Sequence, residues 1–99
     1  MSCALAFCHA GASDYLVITS KEDAYPALVD AVASGAECAP TGLKRVNPEH
    51  PETSLLYLKV TDPPCGSKMP ILYTGVIGSL DPRQVDQIKQ WINSGAPNN

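Results

Sequence analysis

After two residues the chain continues with Cys3-Ala4-Leu5-Ala6-Phe7-Cys8-His9. Two cysteines followed directly by a histidine are typical of a site where a c-type haem is attached covalently, with the histidine as one axial ligand of the iron. The usual spacing is C-x-x-C-H, whereas four residues separate the two cysteines here. Because this departure weakens the motif, the interpretation needs a second signature elsewhere in the chain.

A second signature lies in the segment Pro64-Cys65-Gly66-Ser67-Lys68-Met69-Pro70. A haem held by histidine on one face needs a sixth ligand from the other face, and a methionine thioether on a distant loop suits this role. Met69 is the only methionine besides the initiator, so a thioether ligand has to be Met69. We expect Pro70 to stiffen this loop and Gly66 to let the chain approach the ring closely.

The same residues also suit sites without haem. Cys3 and Cys8 could form a small disulfide loop, or they could join His9 in a zinc site that needs a fourth, more distant ligand. The candidates for that ligand are Cys38, Cys65 and His50. Met69 taken alone would more often be a core residue, and His50 is the rival sixth ligand of the iron. Its place at a predicted helix start favours capping or exposure instead.

The other two cysteines, Cys38 and Cys65, lie 27 positions apart in segments rich in proline and glycine. In an oxidising compartment we expect them to form a disulfide. The chain-entropy model gives a loop of this length roughly 3–4 kcal/mol of stabilisation. The alternative is a pair of unbonded, buried thiols.

Size and composition limit the class of protein. The 99 residues suffice for one small domain, residues 1–99. Hydrophobic residues make up 44% and charged residues 17%, which excludes a disordered chain. A net charge of −3 without a basic stripe argues against nucleic acid as a partner, and the apolar runs are too short to cross a membrane. Aromatic residues are few, so a flat apolar cofactor would supply core volume.

The sequence predicts four helices, the first because a haem motif needs both thiols and the histidine to reach one centre, and the other three from apolar residues and helix-boundary signals. The first spans residues 3–9, and the second runs from Lys21 to Ser34, with Pro26 in its first turn and Gly35 after its end. The third covers residues 50–60, with Pro51 at its first position. The fourth begins at an Asp81 cap and carries an apolar stripe. We expect loops at residues 10–21, 35–48 and 61–80, with short extended pieces at most near residues 16–18 and 71–73.

These features resemble small class I cytochrome c domains, related to the planctomycete-type bacterial cytochrome c domains. Beside the two signatures, the resemblance rests on a middle segment and on the ending. The middle segment, similar to R-V-x-P-G-x-P-x-x-S-x-L, is Arg45-Val46-Asn47-Pro48-Glu49-His50-Pro51-Glu52-Thr53-Ser54-Leu55-Leu56. The W-I-x-x-G-A ending is Trp91-Ile92-Asn93-Ser94-Gly95-Ala96. Glu49 stands where the middle segment of the family often has glycine.

The resemblance implies an all-α fold, about four helices around one covalently bound haem c, with a long loop that carries the methionine. Cys3 and Cys8 would bond the haem, and His9 and Met69 would be the axial ligands of its iron. Arg45 is implied as a partner of a haem propionate. The implied residues of the pocket wall or of the helix-crossing core are Leu55, Leu56, Tyr57 and Trp91.

The resemblance further implies an electron carrier rather than an enzyme. It would pass one electron to redox partner proteins through an exposed haem edge, and we expect a monomer. Covalent haem attachment takes place outside the cytoplasm, so we expect a periplasmic or extracellular protein whose native chain extends beyond Met1. Two alternative functions are a haem-based gas or redox sensor and a haem-free disulfide or zinc module that binds another protein.

Overall fold

The computed structural model describes residues 20–69, 78 and 80–98. This part of the chain contains three α-helices, which are α1 (Lys21–Leu28), α2 (Leu55–Lys59) and α3 (Pro82–Asn93). Two short 3-10 helices, Ala39–Thr41 and Pro51–Thr53, lie between α1 and α2. The predicted helix over residues 3–9, with Cys3, Cys8 and His9, lies outside the described residues, as do Pro70 and the segments 16–18 and 71–73.

Helix α1 begins where the sequence predicted but is shorter. Ser20 caps it, and the Ser20 hydroxyl accepts a hydrogen bond from the Asp23 N–H at 3.1 Å. The helix ends at Leu28, so the predicted end at Ser34 is wrong, and Pro26 lies in the second turn instead of the first. Pro26 offers no N–H to the preceding turn, which weakens the helix from within.

Long-range backbone pairing takes the residues after Leu28 out of the helix. Val29 pairs with Val46 in a parallel bridge, and Val32 pairs with Lys44 in an antiparallel one. Between them Asp30 adopts a left-handed φ of 60°, and its N–H donates to the Val46 carbonyl at 2.9 Å. Valine loses side-chain freedom in a helix and favours extended backbone, so the pairing competes well here.

The predicted third helix is divided at Ser54. Pro51 occupies the first position of the 3-10 helix, as predicted, but Ser54 is extended (φ −102°, ψ 118°) and α2 starts only after it. Ser54 is completely buried. Its hydroxyl donates to the His50 carbonyl at 2.8 Å and accepts from the Asn47 N–H at 2.7 Å. These bonds and a parallel bridge to Lys44 hold Ser54 outside helical geometry.

Helix α3 forms as the sequence predicted. The Asp81 carboxylate accepts from the Arg83 N–H at 2.8 Å, and the Gln84 side chain accepts from the Asp81 N–H at 3.2 Å. Such a reciprocal pair satisfies donors that a helix start leaves free. Gly95 follows the helix with a φ of 100°, which suits a residue without a Cβ.

The described residues form two hydrophobic clusters. The cysteine cluster has Ala33, Cys38 and Leu55 at its centre, and the α3 cluster has Val46, Ile92 and Ala96. Helix α2 lies between them, because Leu55 belongs to the first and Leu56 and Tyr57 pack against the second. Within the described ranges, every helix is too short or too polar to span a membrane.

Candidate functional site

Met69, the predicted thioether ligand, lies shortly after α2 on a segment that we call the Met69 loop (residues 65–69). The Met69 N–H donates to the Lys59 carbonyl at 2.7 Å, so the loop returns to the end of α2. The side chain is half-buried, and it is a member of neither hydrophobic cluster of the described residues. Its backbone is therefore fixed, although Met69 is not among the residues that form these cores.

The Lys59 ammonium reaches into the same loop. Its Nζ donates to the Cys65 carbonyl at 2.9 Å and to the Ser67 carbonyl at 3.1 Å. Hydrogen bonds from a charged donor are stronger than those between neutral groups. Lys59 thus holds the loop through its side chain at two points and through its own carbonyl at a third.

Gly66 provides the space for this ammonium. Its φ is +66°, which only glycine adopts readily. A Cβ at this position would lie 2.5 Å from Lys59 Nζ and 2.9 Å from Glu37 Oε2. The sequence predicted that Gly66 permits a close approach to a cofactor ring, and the structure shows a close approach of the Lys59 side chain.

A disulfide ties the start of the Met69 loop to the rest of the fold. The sulfur atoms of Cys38 and Cys65 are 2.04 Å apart, so the structure contains the pairing that the sequence predicted. Cys38 is buried beside Ala33 and Leu55, while Cys65 packs against this cluster from the loop. The loop therefore has a covalent anchor in the cysteine cluster.

The four predicted pocket residues separate into two groups. Leu55 is buried in the cysteine cluster, whereas Leu56, Tyr57 and Trp91 pack against the α3 cluster. The Trp91 Nε1–H donates to the Pro97 carbonyl at 3.0 Å, which fixes the indole over the end of the chain. The latter three residues are only partly buried. Their place in a helix-crossing core and their contact with a haem both stay predictions, because the predicted N-terminal helix lies outside the described residues.

A small apolar cavity of about 170 Å³ lies beside Trp91, between α1 and the end of the chain. Tyr25 lines it as well, and the Tyr25 hydroxyl donates to the Ala96 carbonyl at 2.8 Å. The bond joins α1 to the segment after α3, which supports the α3 cluster.

Arg45, the predicted partner of a haem propionate, is bonded within the protein. Its Nη1 donates to the Ala27 carbonyl at 2.9 Å and its Nη2 to the Ser34 hydroxyl at 2.8 Å. These bonds link the end of α1 to the paired segment beyond it. The guanidinium thus has a structural role, and the propionate contact stays a prediction.

His50, the rival axial ligand, is exposed, and its Nδ1 lies 3.1 Å from Glu52 Oε1. The Glu52 N–H and then the imidazole lower the pKa of the Glu52 carboxyl below its ordinary value. The His50 side chain makes no capping hydrogen bond to the following 3-10 helix, so His50 is an exposed residue and not a side-chain cap.

The zinc alternative loses two of its candidate ligands. Cys38 and Cys65 are bonded to each other, and a disulfide sulfur is not the thiolate that zinc requires. Residues 20–69, 78 and 80–98 bring no three histidine, cysteine or acidic side chains together in a metal-ligating group.

Met69 is the only member of the predicted ligand set that lies within the described residues, and its contact with a haem stays a prediction. A thioether is a soft donor suited to iron in a cytochrome, and Met69 lies outside both clusters on a loop anchored at Cys65, Ser67 and its own N–H. Lys59 is the residue that sequence analysis missed. A lysine at the end of a helix is expected from the helix dipole alone, so nothing in the pattern distinguished it.

Comparisons with protein-family models, with curated proteins and with solved structures found no match to this chain.

Proposed function

We propose that this chain carries one electron on a c-type haem. In this proposal Cys3 and Cys8 attach the haem, and His9 and Met69 are its axial ligands. The observation that carries the proposal is the anchoring of Met69, whose N–H donates to the Lys59 carbonyl at 2.7 Å. Among the described residues, Met69 is part of neither hydrophobic cluster. A thioether ligand of iron has to be presented at a fixed position, and a backbone that is hydrogen-bonded at Met69 supports this requirement.

A bound haem supplies a one-electron couple between ferrous and ferric iron. The chain would contribute a restricted ligand backbone, because the anchors of the Met69 loop hold the backbone from which the thioether extends. A restricted backbone helps to keep the structural change that accompanies electron transfer small. Leu56, Tyr57 and Trp91 are the apolar residues suited to exclude water, and burial is one determinant of the reduction potential.

The partner in this proposal is another redox protein that meets an exposed haem edge in a transient contact. The net charge of −3 favours a partner with some positive surface. The chain would act as an electron carrier and not as an enzyme. Because attachment of a c-type haem occurs outside the cytoplasm, the proposal includes a periplasmic or extracellular location.

Covalent haem is tested by expressing the chain with an export signal in a host that has cytochrome maturation machinery. Intact-mass measurement should show the added mass of one haem, and a pyridine haemochrome spectrum should report thioether bonds. Cys3→Ala and Cys8→Ala should each remove one thioether bond, whereas the matched variant Cys38→Ser should retain both. A colourless protein without added mass would contradict the proposal and favour a haem-free module.

Carbon monoxide distinguishes electron transfer from gas sensing. With Met69 anchored, the reduced protein should show no prompt spectral change when carbon monoxide is added at neutral pH. A rapid change would show that the sixth position opens easily, and the sensor alternative would then replace the electron carrier.

A further inference from the structure

We propose that Lys59 is the positioning residue of the Met69 loop and thereby keeps the thioether available as an axial ligand. The role as an axial ligand rests on the proposed function. The positioning of the loop by Lys59 concerns the chain alone and is independent of any cofactor.

Lys59 forms hydrogen bonds to the Met69 loop through both its side chain and its backbone carbonyl. Its Nζ donates to the carbonyls of Cys65 and Ser67, at 2.9 and 3.1 Å. Its carbonyl accepts from the Met69 N–H at 2.7 Å. One residue at the end of α2 therefore sets the path of the loop at its first, third and fifth positions.

The loop is built to receive this ammonium. Cys65 and Ser67 turn their carbonyl oxygens toward one point, and Gly66 between them leaves that point open. Any larger residue at position 66 would place its Cβ 2.5 Å from Lys59 Nζ. Glu37 Oε2 lies 2.9 Å from the same Cβ position and adds a negative charge near the ammonium.

The disulfide alone does not position Met69. It fixes Cys65 against the cysteine cluster, but Met69 lies four residues further on. A chain of four residues retains wide conformational freedom unless its backbone is bonded. Lys59 supplies the hydrogen bonds beyond the disulfide. The disulfide thus holds Cys65, and Lys59 holds Ser67 and Met69.

The test compares Lys59→Met with Lys89→Met in the full chain with its disulfide intact. Both variants lose an ammonium and keep a similar stem, but Lys89 is an exposed residue of α3. We expect Lys59→Met to exchange the Met69 amide hydrogen about tenfold faster, which corresponds to about 1.4 kcal/mol. Oxidation of the Met69 thioether by peroxide, followed by mass spectrometry, should accelerate in parallel. Lys89→Met should match the wild type in both measurements.

A second pair of variants tests the space for the ammonium. Gly66→Ala and Gly42→Ala both place a Cβ on left-handed backbone, at φ +66° and +71°, but no atom of the described residues lies within 4 Å of a Cβ at position 42. The backbone cost is therefore matched, and only Gly66→Ala displaces Lys59. We expect Gly66→Ala to reproduce the faster exchange and oxidation, and Gly42→Ala to leave the Met69 loop unchanged.

In haem-loaded protein, the sulfur-to-iron absorption band provides a readout specific to the ligand. Lys59→Met should lose this band at a lower temperature than the wild type, while the helical circular dichroism signal is retained. The role of Lys59 would be overturned if Lys59→Met kept the wild-type exchange rate of the Met69 amide, the wild-type oxidation rate of its thioether and the wild-type sulfur-to-iron band. By contrast, a band that survives Met69→Ala would refute the proposed ligation and leave the result on loop exchange intact.

Discussion

Met69 gains its proposed role from how its backbone is held rather than from its burial. The hydrogen bond to Lys59 and the disulfide at Cys65 restrict the loop, while the thioether belongs to neither described cluster. A soft donor on restricted backbone can stay bound through repeated oxidation and reduction. The residue is thus the most direct place to test the function.

Under the proposed function, Met69→Ala should keep the covalent haem, because attachment would depend on Cys3 and Cys8. It should lower the reduction potential and remove the sulfur-to-iron band, since Met/His ligation raises the potential. Visible spectra and potentiometry measure both effects. His50→Ala is the matched control and should leave the band in place. A band that persists in Met69→Ala and is lost in His50→Ala would transfer the ligand role to His50.

Glu49 occupies backbone that favours glycine. Its φ is +72°, and its N–H donates to the Ile92 carbonyl at 2.8 Å, so the turn is held against α3. A left-handed conformation is costly for residues with a Cβ, which explains why the turn suits glycine.

Glu49→Gly should therefore raise the free energy of unfolding, by about 0.5–1 kcal/mol after the greater freedom of glycine in the unfolded chain is subtracted. Denaturant unfolding measures the change. Glu49→Ala removes the same side chain but keeps the Cβ, so it should show no comparable gain. Equal stability of the glycine and alanine variants would refute backbone strain at this position.

At the scale of elements, α3 is specified by local signals. Its reciprocal cap joins Asp81 and Gln84, and Ile88, Trp91 and Ile92 face one cluster. The Arg83 N–H, and next the Arg83 side chain, lower the pKa of the Asp81 carboxyl below 3.8. A lowered pKa in the folded state means that the charged carboxylate stabilises the fold above the ordinary pKa.

Asp81→Ala should consequently lower the melting temperature at neutral pH. The difference from the wild type should shrink as the pH falls below about 3.8 and through the lower pKa of the folded state, because the wild-type carboxyl then becomes protonated. Thermal melts followed by circular dichroism between pH 7 and 2 measure this. Gln84→Ala removes the uncharged half of the cap, and its effect should not follow the titration of Asp81.

The Cys38–Cys65 bond joins the paired segment after α1 to the Met69 loop. Cys38→Ser should lower the free energy of unfolding by roughly 3–4 kcal/mol according to the chain-entropy model, without loss of covalent haem. Denaturant unfolding with and without a reductant measures the contribution. The wild type should approach the variant when reduced, and equal wild-type stability in both conditions would contradict the cross-link.

At the scale of the whole molecule, α2 connects Met69 to both the cysteine cluster and the α3 cluster. Leu55 lies in the cysteine cluster, Leu56 and Tyr57 pack on the α3 cluster, and Lys59 at the end of the same helix holds the Met69 loop. A disturbance of either cluster should therefore reach the loop. The short helix has no N-terminal side-chain cap, so packing on both sides is the main source of its stability.

Ile92→Ala tests this coupling, because Ile92 is completely buried in the α3 cluster. Truncation of such a residue typically costs about 2–5 kcal/mol. We expect faster exchange of the Met69 amide in this variant as well as a lower melting temperature. Ile88→Ala, which truncates a half-buried residue of the same helix, should have a smaller effect on both. An unchanged exchange rate in Ile92→Ala would show that the loop is independent of this cluster.

Some features of this protein follow from local chemistry and could be predicted from the residues alone. The cap and apolar stripe of α3 involve neighbours within a few turns, and Cys38 and Cys65 are the two cysteines left outside the predicted haem motif. Cys3, Cys8 and His9, the predicted attachment points and axial ligand of the haem, lie outside the described residues. The haem therefore stays a prediction.

Other features depend on contacts between distant segments, which no local pattern reports. Helix α1 ends early because Val29 and Val32 pair with residues 44–46, and the predicted third helix is divided where Ser54 pairs with Lys44 from the segment before it. The role of Lys59 arises only when the loop folds back on α2. Hydrogen bonds between segments far apart in sequence form once the chain is compact, so tertiary structure selects among conformations that local preferences leave nearly equal.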